Sequence, residues 1–126
     1  MKIAIIDYGA GNVKSIEFAL QRLGYDSILT KDAEIIKSAD RVIFPGVGEA
    51  SSAMKMLQDT DLDNVIPNLK QPVLGICLGM QLMCSYSEEG NTQGLGIFDV
   101  DVVKFETDLK VPQVGWNTIY NLKSNL

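Results

Sequence analysis

Three observations predict an α/β fold with a flavodoxin-like, mostly parallel sheet flanked by helices. Short branched apolar runs alternate with segments of helical spacing from Met1 to about Gly90. Those runs are apolar throughout, as expected for strands covered on both faces. Three of them end in unusual turns, and ligand sites in such sheets lie beyond the carboxyl ends of the strands.

The elements follow in order. Lys2-Ile3-Ala4-Ile5-Ile6, within Met1–Asp7, is the first predicted strand, bounded by Gly9 and Gly11. Asn12 offers an N-cap to a helix in which Val13, Ile16, Leu20 and Leu23 recur at three- and four-residue steps, with Gly24 as the stop. A strand near Tyr25–Leu29, a short helix near Ala33–Lys37 and a strand Arg41–Phe44 come next. After Pro45-Gly46-Val47-Gly48, helices are expected in Glu49–Gln58 and Leu62–Leu69. Strand Val73–Ile76 then leads into a helix starting after Cys77 and running to about Ser87. Beyond Gly90 the pattern shifts to smaller, mixed or antiparallel strands around Val100–Phe105 and Val111–Tyr120.

The chain has 126 residues, which suits one domain spanning residues 1–126. Apolar residues at 46% and charged residues at 21% are ordinary globular composition. A net charge of −5 argues against nucleic acid or an anionic membrane surface as partner. Pro72–Met80 is too short to span a bilayer, and Met1–Ile6 meets Asp7 too soon for a signal-peptide core. A cytoplasmic protein is expected. Histidine is absent, which excludes an internal Cys-His or Ser-His pair and any histidine-ligated metal. No metal and no cofactor are expected. Cys77 and Cys84, read as sharing one helix, would stand roughly 10.5 Å apart, beyond disulfide reach. Two free thiols fit a reducing compartment.

Gly75-Ile76-Cys77-Leu78-Gly79 has the Gly-x-nucleophile-x-Gly form of a nucleophile elbow, with Cys in place of Ser. A sharp strand-to-helix turn leaves no room for side chains two residues either side, and aims the sulfur outward from a strained backbone. The helix start favours a thiolate, and the Leu78 N–H is placed to hold an oxyanion. The structural alternative is a small apolar Cys at a tight turn. Gly46 and Gly48 around Val47 leave peptide planes free to turn their N–H groups outward, supplying a second oxyanion donor; the alternative is an ordinary glycine-rich turn. Gly9-Ala10-Gly11-Asn12 suggests a dinucleotide loop, and Asp32 lies about twenty residues on. Lys14 stands where the fingerprint needs Gly or Ala, which argues against that cofactor.

Taken together, Gly75-Ile76-Cys77-Leu78-Gly79-Met80-Gln81, Pro45-Gly46-Val47-Gly48 and Ile6-Asp7-Tyr8-Gly9-Ala10-Gly11-Asn12 closely resemble the class I (triad) glutamine amidotransferases. The Leu-Gly-Met-Gln continuation and Pro112-Gln113-Val114-Gly115-Trp116-Asn117 narrow the resemblance to the glutaminase branch that serves histidine biosynthesis. The resemblance implies that Cys77 attacks the side-chain amide of glutamine, forms a glutamyl thioester and releases ammonia. Val47 and Leu78 would then be the oxyanion donors, and Gln81 and Glu89 would bind the substrate. Without the resemblance, Gln81 reads as a solvated helix residue. Glu88 and Glu89 read as an acidic pair near a helix C-terminus, where negative charge is mildly unfavourable.

The resemblance also implies a heterodimer. The ammonia would pass to a synthase/cyclase subunit of β/α-barrel fold, with Asn12 and Trp116 near that partner; a core position is the other setting that suits Trp116. The family completes its site with a His and a Glu on a C-terminal segment that this sequence lacks. The 126 residues are therefore expected to be the N-terminal portion of the domain, impaired in turnover because no base serves Cys77. A non-catalytic amidotransferase-like binding module is the alternative, and a flavodoxin-like small-molecule binder a third reading.

Overall fold

A computed structural model describes residues 1–121 and 123. Strands β1 (Ile3–Ile6), β2 (Ser27–Thr30), β3 (Arg41–Phe44) and β4 (Val73–Gly75) form one sheet in the order β2-β1-β3-β4. Every pairing is parallel, with Ala4 opposite both Ile28 and Val42, and Ile43 opposite Leu74. The chain steps outward from β1 to β2 and then crosses back to β3. The strand order thus reverses between β1 and β3, the switch point where doubly wound sheets place their ligands.

Alternation along β1 explains both faces. Ala4 and Ile6 point into one core with Val42, Phe44 and Ile36, while Ile3 and Ile5 join Ile43 on the other. Helix α1 (Val13–Arg22) covers the second face through Val13, Ile16 and Leu20. The larger core receives α2 (Ala33–Ser38), α3 (Ala50–Asp59), α4 (Leu62–Val65) with its following turn Ile66–Asn68, and α5 (Leu78–Met83). Leu57, Leu62 and Leu82 are all but fully buried there, each burial being worth roughly 1.5–3 kcal/mol.

The helix ends show which side chains make the caps. Asp32 caps α2, its Oδ1 accepting from the Glu34 and Ile35 amides at 2.8 and 3.2 Å. Asn12 occupies the N-cap position of α1, but its side chain makes no capping bond. Gly24, with φ +81°, ends α1 and donates to the Gln21 carbonyl at 3.0 Å.

Two expectations fail after Cys77. The helix expected to reach Ser87 stops at Met83, and Cys84–Ser87 is a strand, β5. Cys, Ser, Tyr and Ser are indifferent helix formers, and pairing supplies what propensity does not. β5 runs parallel to β7 (Phe98–Val102), with Cys84 opposite Phe98, and antiparallel to β6 (Thr92–Gln93). This makes a second, mixed sheet in the order β6-β5-β7. Cys77 and Cys84 therefore do not share a helix; both are free thiols, Cys77 exposed and Cys84 buried. Glu88 and Glu89 follow a strand, and the short 3-10 turn Glu89–Asn91 begins at Glu89.

The strand expected over Val111–Tyr120 is the second miss. Those residues are irregular and exposed, with Pro112, Gly115 and Asn117 interrupting the branched residues. Among the described residues, no helix is long and apolar enough to cross a membrane.

Candidate active site

β4 passes into α5 through Ile76 and Cys77. Cys77 adopts φ +53° and ψ −114°, a region that costs a non-glycine residue on the order of 1–3 kcal/mol. The crowding around it explains why the turn is held. A Cβ on Gly75 would lie 2.7 Å from Met80 Cα, and one on Gly79 would lie 2.0 Å from the Phe44 carbonyl oxygen. Both flanking glycines are therefore required by space. Leu78 is the first residue of α5, so its N–H has no acceptor within the helix.

The Pro45–Gly48 loop leaves the end of β3 and lies on this turn. A Cβ on Gly46 would stand 2.5 Å from the Gly79 nitrogen and 2.8 Å from Leu78 Cβ. Pro45 and Gly46 are buried, whereas Val47 and Gly48 are exposed, Gly48 with φ +100°. The loop carrying Val47 and the turn carrying Cys77 and Leu78 thus form one surface. An exposed thiol beside two amide-bearing turns can attack a carbonyl and meet the developing negative charge with N–H donors.

Gln81 and Glu89 are also brought together, through contacts that sequence spacing did not reveal. Gln81 Nε2 donates to Ser87 Oγ at 2.7 Å and to Glu89 Oε2 at 3.1 Å. The same Glu89 oxygen accepts from the Ala50 amide at 3.0 Å, and the Glu89 N–H donates to Ser87 Oγ at 3.1 Å. A cleft of about 490 Å³ opens beside this group, with Lys104 and Glu88 on its wall. Cys77 is not part of that wall; it lies one helical turn back, its carbonyl accepting from the Gln81 amide at 3.0 Å.

Two residues passed over in the sequence belong to the surroundings of the site. Glu49 accepts from the amides and hydroxyls of Ser51 and Ser52. Those bonds, the Ser52 amide foremost, pull its carboxyl down to about 2. Glu49 and Glu89 together occupy the first three amides of α3, immediately after the Val47 loop. Gly90 permits this approach, since a Cβ there would strike Glu49 and Ser51. The signal was present as Glu-Ala-Ser-Ser after Gly48, a carboxylate at a helix start where the first amides lack partners within the helix. Tyr8 is the other, buried below the loop. Its hydroxyl is pushed up to about 12, by burial first and by the nearby Cys77 charge second.

Asn12 is exposed at the start of α1. Trp116 is fully exposed, at 104% of its reference area, and packs in neither hydrophobic core of the described residues.

The α/β sheet thus carries a cysteine elbow, a glycine-rich loop upon it and a neighbouring Gln–Glu pair. The chain belongs to the class-I glutamine amidotransferase family, whose profile, described as "Glutamine amidotransferase class-I", matches residues 4–123. Among its relatives is imidazole glycerol phosphate synthase subunit HisH of Bacteroides fragilis, 57% identical over 100% of this chain and 66% of that protein. The subunit of the same name in Bacteroides thetaiotaomicron is 56% identical with the same coverage, and that of Haemophilus influenzae is 49% identical over 98% of this chain and 63% of its own. The chain therefore spans just under two thirds of the length of these relatives. A solved structure titled "Crystal structure of glutamine amidotransferase" superposes with a TM-score of 0.67 at 19% identity, covering 79% of this chain and 55% of that one. It agrees with the fold.

Proposed function

We propose that the protein is the glutaminase subunit of an imidazole glycerol phosphate synthase, supplying ammonia to a synthase/cyclase subunit of β/α-barrel fold in histidine biosynthesis. The observation that carries this reading is Cys77, held at positive φ on an exposed turn against the Val47 loop. The Cys77 sulfur attacks the side-chain amide carbon of glutamine, and the Val47 and Leu78 N–H groups receive the charge on the carbonyl oxygen. Collapse expels ammonia and leaves a glutamyl thioester, which water then hydrolyses to glutamate. Glu89, a carboxylate on the wall of the cleft, offers a partner to the substrate ammonium, and Gln81 offers its amide to the same end of the molecule. Asn12 and Trp116, both exposed, suit the face toward the synthase subunit.

The chain contains no histidine, so no imidazole of its own takes the thiol proton or protonates the departing ammonia. This polypeptide alone is accordingly expected to turn over slowly, since each such transfer contributes typically 10²–10⁴-fold. The test is intact-mass spectrometry after incubation with glutamine and a purified synthase subunit, beside the Cys77→Ser variant. A glutamyl adduct on Cys77 that the variant lacks is the expected result. Absence of any adduct, with glutamate release indifferent to Cys77→Ser, would overturn the proposal.

A further inference from the structure

β5 ends in a hydroxyl that is almost fully buried. Ser87 is 3% exposed, and its backbone is held on both sides, opposite Thr92 in β6 and opposite Val102 in β7. A hydroxyl oxygen carries two lone pairs, and here both are taken. One receives Gln81 Nε2 at 2.7 Å, and the other the Glu89 N–H at 3.1 Å. The Ser87 side chain thus ties α5 to the turn after β5, at a corner of the cleft that all three residues line.

These bonds decide what Gln81 can offer. Its amide nitrogen has two protons, of which one goes to Ser87 and the other to Glu89 Oε2 at 3.1 Å. With the nitrogen committed, the remaining hydrogen-bonding capacity of the side chain is that of its carbonyl oxygen, an acceptor. The reversed amide is disfavoured, because it would set that oxygen against the Glu89 carboxylate. Glu89 is itself acceptor-only, and its second oxygen, Oε1, meets no donor among the described residues. Acceptors grouped beside a negative charge suit a protonated amine. Cys77 lies one helical turn, about 5.4 Å, back along α5. That spacing is comparable with the reach from the α-ammonium of glutamine to its side-chain amide carbon.

We propose that Ser87 is a positioning residue for substrate recognition. By holding the Gln81 amide nitrogen and the Glu89 backbone, its hydroxyl keeps these two residues as a pair of acceptors for the α-ammonium of glutamine. This rests on the glutaminase reading above and adds to it the residue that sets the pair. In Ser87→Ala one Gln81 proton and the Glu89 N–H both lose their acceptor, and the pair is no longer held.

Two chloroketones separate recognition from mere stability. One is 2-amino-5-chloro-4-oxopentanoate, which carries the α-ammonium; the other is 5-chloro-4-oxopentanoate, which lacks it. With either, the Cys77 thiolate forms a C–S bond at the chloromethyl carbon, and chloride leaves with the C–Cl electron pair. The reactions are run at pH 7, where most of an α-amino group is protonated, and peptide mapping reports the rate at Cys77. The parent chain is expected to favour the amino compound. In Ser87→Ala the ratio of amino to desamino rates should fall about 10-fold, what one well-formed hydrogen bond is worth, while iodoacetamide alkylates Cys77 within about twofold of the parent rate. Ser87→Cys keeps the shape with a much weaker acceptor; it should lower the ratio in the same direction and serves if Ser87→Ala folds poorly. A ratio within about twofold of the parent in a folded variant overturns the role of Ser87 and leaves the glutaminase reading standing. The same holds for a fall shared equally by all three reagents. A parent chain that reacts equally with both chloroketones overturns recognition of glutamine at this cleft, and the role of Ser87 with it.

Discussion

Gly79→Ala sets two physical effects against each other. Gly79 lies inside α5, where helix propensity alone favours alanine by about 0.8–1 kcal/mol. Space argues the opposite. The new methyl would stand 2.0 Å from the Phe44 carbonyl oxygen, 2.8 Å from its carbon and 3.0 Å from the Pro45 oxygen. Carbon–oxygen contacts between neighbouring backbones settle near 3.3–3.6 Å, so the end of β3 and the start of α5 must separate by more than about 1 Å. Overpacking costs typically 1–3 kcal/mol, and backbone neighbours that cannot rotate away place this case near the top of that range. The net is a destabilisation of about 2 kcal/mol. With an unfolding entropy of about 2.1 cal/mol/K per residue over 126 residues, Tm should fall by about 8 °C. The same separation draws the Val47 loop off Cys77, so p-nitrophenyl acetate should acetylate Cys77 at least 10-fold more slowly. Thermal unfolding followed by circular dichroism, with peptide mapping of the acetylated protein, measures both. An unchanged or raised Tm would show that the loop does not press on the elbow as described, and the reasoning would fail.

Other outcomes follow from the same contacts. Glu49 has its carboxyl lowered to about 2 by the Ser51 and Ser52 bonds, so its unfolded form takes up protons first as pH falls. Its contribution should be fully present above about pH 4.5 and vanish by about pH 2, and urea midpoints across that window should depend less on pH in Glu49→Gln than in the parent. Glu89→Ala removes acceptors from the Ala50 amide and from Gln81 and should cost about 1 kcal/mol, given how exposed Glu89 is; an unchanged urea midpoint would count against the link. Leu57→Ala, at a fully buried position, should cost 2–5 kcal/mol in the same assay.

Much of the fold was legible because β1, β3 and β4 are short branched runs, each closed by Gly or Pro. That punctuation also carries the chemistry, so Cys77 and the Pro45–Gly48 loop could be picked out from local spacing. What local spacing missed was set by distant pairing. Cys84–Ser87 looks like the tail of a helix until β7 is present to pair with it. Val111–Tyr120 shows the converse, branched residues that pair with no strand among the described residues. Glu89 was singled out on resemblance, but its contact with Ala50 joins residues 39 positions apart and has no local signature. Tyr8 was hidden in another way: the glycines beside it suggested a nucleotide turn, whereas Gly11 makes room for Pro45 and Gly9 takes a positive φ.

Treatment with an electrophilic glutamine analogue, such as its γ-chloroketone, followed by peptide mapping, tests the assignment of Cys77 most directly. The account predicts rapid modification of Cys77, blocked by excess glutamine, while Cys84 stays unmodified beneath its 7% exposure. Equal modification of the two thiols, or modification of Cys77 that glutamine does not slow, would contradict it.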